Sequence, residues 1–186
     1  MSWPTDLTPD RYPGTIRREI TVESTAQDDG RLLFTAVLRD RWHDGAGKEE
    51  EIHGYEVRLL AEPPDLTVVS IAVQPRFLPF PDCPAAAVAA QRLVGTQLTK
   101  GFRSAAIATL GGVEGCTHLL TLVLAIWNQQ VVTNYMLTRV DDGTNERTLL
   151  SDQIADTCSG WREGGVGLRL LRNREPFPRS VDRKEP

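Results

Sequence analysis

Two side chains capable of nucleophilic or metal chemistry lie two residues apart in the segment EGCTHLL, residues 114–120. Cys116 and His118 follow a run of glycines and open an apolar stretch, which predicts that both lie at the start of a helix. Unpaired N–H groups and the helix dipole at that end stabilise a thiolate, the form that binds metal or attacks carbon. On a regular helix the two side chains are about 200° apart, so we expect them to meet only if the first turn is irregular. The alternatives are a small buried hydrophobe at Cys116 and a His118 bonded to a neighbouring carbonyl.

Cys83 and His53 also lie where a predicted helix or strand begins, whereas His43 does not. Cys83 precedes Pro84, a residue typical of the first position of a helix, and so is expected at a second helix N-terminus. His53 lies early in a predicted strand, where the following glycine allows another backbone or a ligand to come close. The alternatives are a buried thiol at Cys83 and a solvent-facing His53. His43 stands in a charged segment and is interpreted as a solvated loop residue.

Acidic partners for these residues are not evident in the sequence. Asp40, Asp44, Glu51, Glu56 and Glu114 are candidates for an acid–base role, but none has a spacing that pairs it with a histidine. The chain also contains no CxxC, HExxH, P-loop or GxSxG motif, and its GGVEG segment does not follow a strand as a dinucleotide-binding loop would. We therefore expect no nucleotide cofactor.

The elements that would position these residues fall into a sheet followed by helices. Alternating patterns predict strands in two hairpins, with QDDG and EPPD as turns and a charged loop over 42–51 between the hairpins. Helices are predicted over 84–95, capped by Asp82 or Cys83, over 98–112 and over 116–137, and a further short helix and a strand within 148–172. The long helix contains no charged residue and is expected to be central and buried, or to supply a homo-oligomer interface. Strands first and helices after predict an α+β fold, an antiparallel sheet with helices on one face.

Length and composition set broad limits on the class of protein. The 186 residues suit one domain over 15–172, with flexible ends at 1–14 and 173–186. A net charge of −4 gives no sign of a nucleic-acid or membrane partner. The start of the chain lacks the features of a signal peptide, and the longest strongly apolar run is too short to span a bilayer. We therefore expect a soluble cytoplasmic protein whose three cysteines are thiols or ligands.

The run from the third strand onward resembles a bacterial family known as domain of unknown function 2889. The similar segments are IHGYEVRL, PDCPAAAVAAQRLVGTQLTKGF and LGGVEGCTHLLTL, of which GCTHL is the most specific. The resemblance covers roughly 15–165, and Cys158 falls where that family tends to have a cysteine. This chain has Gly54 where the family tends to have an acidic residue.

The order of motifs is also similar to that of NifU-like scaffold proteins for iron–sulfur assembly. In that family three ligand positions surround one metal, and here His53, Cys83 and Cys116 with His118 would occupy them. The resemblance implies a site of mixed nitrogen and sulfur ligands suited to zinc or iron. Histidine in the first place, where a cluster scaffold carries cysteine, argues against cluster assembly.

Two functions follow as hypotheses. The first is a small enzyme with a Cys/His site, either metal-dependent or with Cys116 as nucleophile and His118 or His53 as base. It would act on a small organic acid, acyl or polyketide-like substrate by hydrolysis, hydration, lyase or cyclase chemistry, in a pocket lined by Tyr55, Phe77, Phe80 and Phe102. The second is a non-catalytic metal- or ligand-binding protein, or a subunit of a larger complex.

Overall fold

The fold is α+β, as predicted, and begins with a four-stranded antiparallel sheet. A computed structural model describes residues 14–137, 151–152, 154–173 and 175. The strands run in the order β1-β2-β3-β4, each paired with the next along the chain. Their bounds are Thr15–Ala26 (β1), Leu32–His43 (β2), Glu49–Glu62 (β3) and Thr67–Phe77 (β4). The predicted arm and tail fall almost entirely outside the described residues.

The two predicted hairpins join into one meander because the middle strands are longer than expected. β2 continues to His43 and β3 starts at Glu49, so both ends of the predicted loop over 42–51 are strand and only residues 44–48 form the turn. Alternate residues of β2, from Leu32 to Leu38, are buried, and the same alternation continues in β3 from Tyr55 to Ala61. One face of the sheet therefore packs into the core and the other carries charged side chains to solvent.

Helices cover the buried face of the sheet. They are α1 (Ala85–Ala89), α2 (Phe102–Leu110) and α3 (Thr117–Leu137), with a 3₁₀ turn at Ala90–Leu93 after α1. The helix predicted over 84–95 is thus divided, and its N-cap is Pro84 rather than Asp82 or Cys83. In α3 the residues Leu119, Leu122, Val123 and Ile126 are fully buried in the same core as the sheet. This helix buries one side, while Val132 and Met136 further along it are half exposed.

The described residues fall into two compact units, one ending at Gln129 and the other beginning at Gln130. In the second unit a 3₁₀ turn, Ser159–Trp161, precedes α4, Val166–Arg172. The short helix predicted in this part is present, but the predicted strand is wrong, because the described residues between 151 and 173 contain helix and turns. The prediction of a single domain over 15–172 stays a prediction. No helix within the described ranges has the length and hydropathy needed to cross a membrane.

Candidate active site

A row of three polar side chains crosses the buried face of the sheet at one end. The strand register places Arg18 of β1 opposite Asp40 of β2, and Asp40 opposite His53 of β3. Directly opposed residues in an antiparallel sheet project to the same face. Asp40 continues the buried alternation of β2 and is only 3% exposed. The sheet therefore places the Asp40 carboxylate and the His53 imidazole side by side at the edge of the core.

Irregularities in the sheet surround His53. The β2–β3 register shifts after Asp40, so that Ile52 is an additional residue beside His53, and the β3–β4 register shifts next to Gly54. A Cβ at Gly54 would lie 2.9 Å from Glu51 Oε1, 3.0 Å from Arg76 Cβ and 3.3 Å from the backbone nitrogen of Phe77. The close backbone approach predicted at this glycine is therefore made by β4, and the Glu51 side chain fills the remaining space. Bulges of this kind re-aim neighbouring side chains and are frequent next to functional sites.

A tight turn between α2 and α3 positions Cys116. The backbone N–H of Cys116 donates to the carbonyl of Leu110 at 3.0 Å, which closes the turn. A Cβ at Gly115 would lie 2.0 Å from that carbonyl oxygen, so the turn excludes any side chain there. The carbonyl of Cys116 accepts the first helical bond of α3, from Leu120. Cys116 thus stands just before the helix, with the free N–H groups of its first turn close by.

The imidazole of His118 links the thiol to the carboxylate. Its Nδ1 lies 3.8 Å from Cys116 Sγ, and its Nε2 lies 3.5 Å from Asp40 Oδ2. Cys116 and His118 meet because Cys116 lies just before the regular helix. The helical wheel requires an irregularity of this kind, since two residues two apart on a regular helix point in nearly opposite directions. The ring also stacks on that of His53, with centroids 3.9 Å apart.

Arg18 and Asp40 form a bidentate ion pair at the centre of the site. Arg18 donates from Nε to Oδ1 at 2.7 Å and from Nη2 to Oδ2 at 2.8 Å. These bonds hold the pKa of Asp40 below its ordinary value, although burial opposes them. The same carboxylate lies 3.4 Å from His53 Nδ1. Asp40 is therefore a fixed anion facing two imidazoles.

The electrostatic environment keeps His118 neutral. Burial lowers its pKa most, the neighbouring His53 and Arg18 lower it further, and only Asp40 opposes the shift. A histidine whose pKa lies below its usual value is an unprotonated base at neutral pH. Tyr55, fully buried in the core, has its Oη 3.7 Å from Cys116 Sγ. Burial raises the pKa of the Tyr55 hydroxyl, so it keeps its proton and can donate to a thiolate.

An open cleft of about 450 Å³ borders the two histidines. Its lining consists of two isoleucines and the polar row, namely Ile16, Arg18, Asp40, Ile52, His53 and His118. The aromatic residues expected to line a pocket are not among them. Tyr55 and Phe102 are fully buried, whereas Phe77 and Phe80 are 44% and 67% exposed. The apolar part of the lining therefore consists of Ile16 and Ile52, and the prediction of an aromatic lining is wrong for this cleft.

The remaining cysteines and histidine named from the sequence make no direct contact with His118 or Asp40 among the interactions of the described residues. Cys83 is half-buried in the turn before α1, which at five residues offers little dipole. Its thiol contributes to raising the pKa of the Tyr55 hydroxyl. The interpretation of His43 as a solvated loop residue is wrong, because it is the partly buried last residue of β2, with its Nδ1 3.6 Å from Glu49 Oε2. Cys158 is an exposed thiol of the second unit.

Three residues have the spacing of metal ligands. Asp40, His53 and His118 each offer one ligand atom, and these atoms lie within 4.8 Å of one another. Of the predicted ligand set, His53 and His118 belong to this group. Cys83 and Cys116 belong to no such group of three or more among the described residues. Cys116 faces the ring nitrogen of His118 opposite to the one that faces Asp40.

The chain matches the model of a known protein family. The model of the family described as "Protein of unknown function (DUF2889)" matches residues 16–131. The chain belongs to this family. The DUF2889 segment includes every residue of the site, from Arg18 to His118, but ends before Cys158, short of the resemblance expected over 15–165. No curated protein and no solved structure matches the chain.

Arg18 and Asp40 are the parts of the site that sequence reasoning missed. In the sequence Asp40 is one of five acidic residues without a pairing signal, and no motif points to Arg18. A signal for Asp40 existed, because it extends the alternation of Leu32, Phe34, Ala36 and Leu38 and so had to fall on the core face. A carboxylate on that face needs a cationic or hydrogen-bonding partner. The identity of that partner depended on the β1–β2 register.

Proposed function

We propose that this DUF2889 protein is a small thiol enzyme that transfers or hydrolyses acyl groups, with Cys116 as nucleophile. The observation that carries the proposal is the alignment of Cys116, His118 and Asp40, in which one imidazole contacts the thiol with Nδ1 and the carboxylate with Nε2. A nucleophile, a base and an acid that orients the base form the recurring arrangement of acyl-transfer enzymes, whatever their fold. Separations somewhat longer than hydrogen bonds are common before substrate binds.

Each residue has a defined part in this reaction. His118 Nδ1 accepts the thiol proton, and Cys116 Sγ forms a bond to the carbonyl carbon of the substrate. Asp40, held by Arg18, orients His118 and stabilises the imidazolium that results. The N–H groups in the first turn of α3, which have no partner within the helix, would donate to the developing oxyanion. The protonated leaving group departs with the proton from His118, and water then cleaves the thioester with His118 again as base.

The cleft, which His118 lines and Cys116 does not, favours a small acyl substrate with an apolar part whose carbonyl reaches past the imidazole to the thiol. Ile16 and Ile52 offer apolar contact, and Arg18 is the cationic group in the lining. Apolar walls with a few convergent polar groups are typical of small-molecule sites. Activated esters and thioesters of short and medium acyl chains are therefore the substrates to test first.

The proposal is tested by trapping the acyl-enzyme. The protein is mixed with p-nitrophenyl esters of two to eight carbons, and intact mass spectrometry measures the adduct while absorbance measures the burst of product. The adduct should map to Cys116, disappear in Cys116→Ser and form about 10²-fold or more slowly in His118→Ala. Cys83→Ser and Cys158→Ser are matched controls that should react normally. Equal acylation of all three cysteines, or none at Cys116, would refute the assignment.

A second candidate, a metal-dependent enzyme or metal-binding protein, is favoured by the spacing of Asp40, His53 and His118. Oxygen and nitrogen ligands of a tetrahedral zinc lie about 3.3 Å apart, given bonds of about 2.0 Å. Asp40 Oδ2 lies 3.4 and 3.5 Å from the two imidazole nitrogens. These residues would hold zinc or iron, which supplies Lewis acidity to a bound water or carbonyl.

The ion pair with Arg18 disfavours the metal, because it places a fixed cation beside the site and already satisfies the carboxylate. Metal analysis of purified protein, with zinc titration by calorimetry, separates the two candidates. A metal enzyme should bind one equivalent and lose it in His53→Ala, whereas Cys116→Ser should still bind. Absence of stoichiometric metal would leave the thiol enzyme as the remaining candidate.

A further inference from the structure

The first strand of the sheet has a long unpaired edge. β1 covers twelve residues, Thr15–Ala26, and is exposed along most of its length. It pairs with β2 on one side, and no described strand pairs with the other. Ile16 and Ile20, which face the same side as Arg18, are 52% and 37% exposed. An edge of this length with apolar side chains is a template for pairing with another chain.

The charged residues of β1 divide into two groups. Arg18 is paired with Asp40 and Glu19 with Arg41, so both are satisfied within the sheet. Arg17 and Glu23 form no ion pair among the described residues. They lie three residues before and three residues after Ile20, on the face opposite to it. Opposite charges placed symmetrically about a central residue are complementary to themselves when a strand meets a second copy in the antiparallel direction.

We propose that two copies of the chain pair through β1, antiparallel, about a two-fold axis at Ile20. In this register each Arg17 lies opposite Glu23 of the other copy, and the two Ile20 side chains meet at the axis. Cross-strand pairs of opposite charge and of β-branched residues both stabilise a sheet. The two four-stranded sheets then form one continuous sheet of eight strands. A two-fold dimer of this kind is the commonest form of soluble oligomer.

Like charges disfavour the two neighbouring registers, and only the axis at Ile20 sets Arg17 opposite Glu23. A two-fold dimer within one sheet preserves the faces, so the register can shift only in steps that keep inward residues opposite inward residues. An axis at Thr21 would place Glu19 opposite Glu23 twice, and an axis at Glu19 would place the two Glu19 side chains together. The axis at Ile20 avoids both. It also sets Arg18, which lines the cleft, opposite Val22 of the second copy, so the second copy borders the cleft.

The test is the oligomeric state of charge-exchange variants. Light scattering after size exclusion should give twice the monomer mass of 20.6 kDa for the wild type. Arg17→Glu and Glu23→Arg should each weaken the dimer by about 10- to 100-fold, because every such change creates two like-charge contacts. The double variant Arg17→Glu/Glu23→Arg should restore the dimer. Arg58→Glu, an exposed site on β3, is the matched control and should remain dimeric.

Three results would overturn the proposal. These are a monomeric wild type at tens of micromolar protein, a dimer indifferent to both single variants, and a double variant that stays as weak as the singles. A dimer that persists in the single variants would direct attention to another surface, such as the helix over 116–137. Circular dichroism and thermal unfolding of each variant verify that the fold is intact before the masses are compared.

Discussion

Replacing Gly115 by alanine should damage both the fold and the reactive thiol. The added Cβ would stand 2.0 Å from the carbonyl oxygen of Leu110, where a carbon normally keeps more than 3 Å. The backbone must therefore move by about 1 Å. That same oxygen accepts the hydrogen bond from the N–H of Cys116, so the movement breaks the bond that closes the turn.

The magnitude follows from these two losses. Overpacking against a rigid backbone costs about 1–3 kcal/mol, and the lost hydrogen bond adds about 0.5–1.5 kcal/mol. The expected destabilisation is about 2–4 kcal/mol, and each kcal/mol lowers the unfolding midpoint of a chain this size by about 2–4 °C. A displacement of about 1 Å at the nucleophile should also slow acylation of Cys116 by about 10²-fold.

Urea and thermal unfolding measure the first effect, and the rate of ester-dependent acylation measures the second. Gly112→Ala is the matched control, because its Cβ would meet nothing within 4 Å and only its left-handed backbone, with φ of +71°, resists a side chain. That variant should lose about 1 kcal/mol and keep the reactivity of Cys116. A Gly115→Ala protein within 0.5 kcal/mol of wild type, a limit about the size of an ordinary surface change, would refute the account of the turn.

Further changes test the neighbours of His118. Asp40→Asn removes the charge that orients His118 and neutralises Arg18, so acylation should fall by about 10²-fold; an unchanged rate would remove Asp40 from the mechanism. Tyr55→Phe keeps the core volume but loses the hydroxyl near Sγ, and it should slow acylation several-fold while changing the unfolding free energy by less than about 1.5 kcal/mol. Because the pKa of His118 is lowered in the fold, the acid limb of the rate profile should lie below about pH 6.5. For the same reason the unfolded state binds more protons there, so stability should fall as the pH drops below about 6.5, and less steeply in His118→Gln. Asp40, whose pKa is also lowered, adds stability above about pH 3.9 that is lost at lower pH.

The sheet and the main helices follow from local patterns in the sequence. Alternation in β2 and β3 and the uncharged apolar run of α3 are strong signals, since each reflects burial of one face. The strand ends were less predictable. The two ends of the charged segment over 42–51 pair with each other and extend β2 and β3, although their composition does not favour strands.

Only part of the site was predictable, because residue types can be recognised in a sequence whereas contacts between distant strands cannot. Cys116, His118 and His53 were identified from residue type and from nearby glycines, and the structure brings them to one place. Cys83 was expected to join them because Pro84 marks a helix start, but a helix start does not fix which residues meet in space. The partnership of Arg18 with Asp40 depends on which β1 residue lies opposite which β2 residue. Register of this kind is set by the whole hairpin rather than by either segment alone.

The most direct test of the central claim is the alkylation rate of Cys116 at pH 7 with and without its imidazole. The protein carries Cys83→Ser and Cys158→Ser, so that iodoacetamide reports on one thiol, and peptide mass spectrometry follows the adduct. Pairing with His118 predicts that His118→Gln slows alkylation by about 10-fold or more, since the thiolate is the reactive form and loses its proton acceptor. His43→Gln, three residues beyond Asp40 and on the opposite face of β2, should have no effect. Equal rates in the wild type and His118→Gln would contradict a catalytic pair at Cys116 and His118.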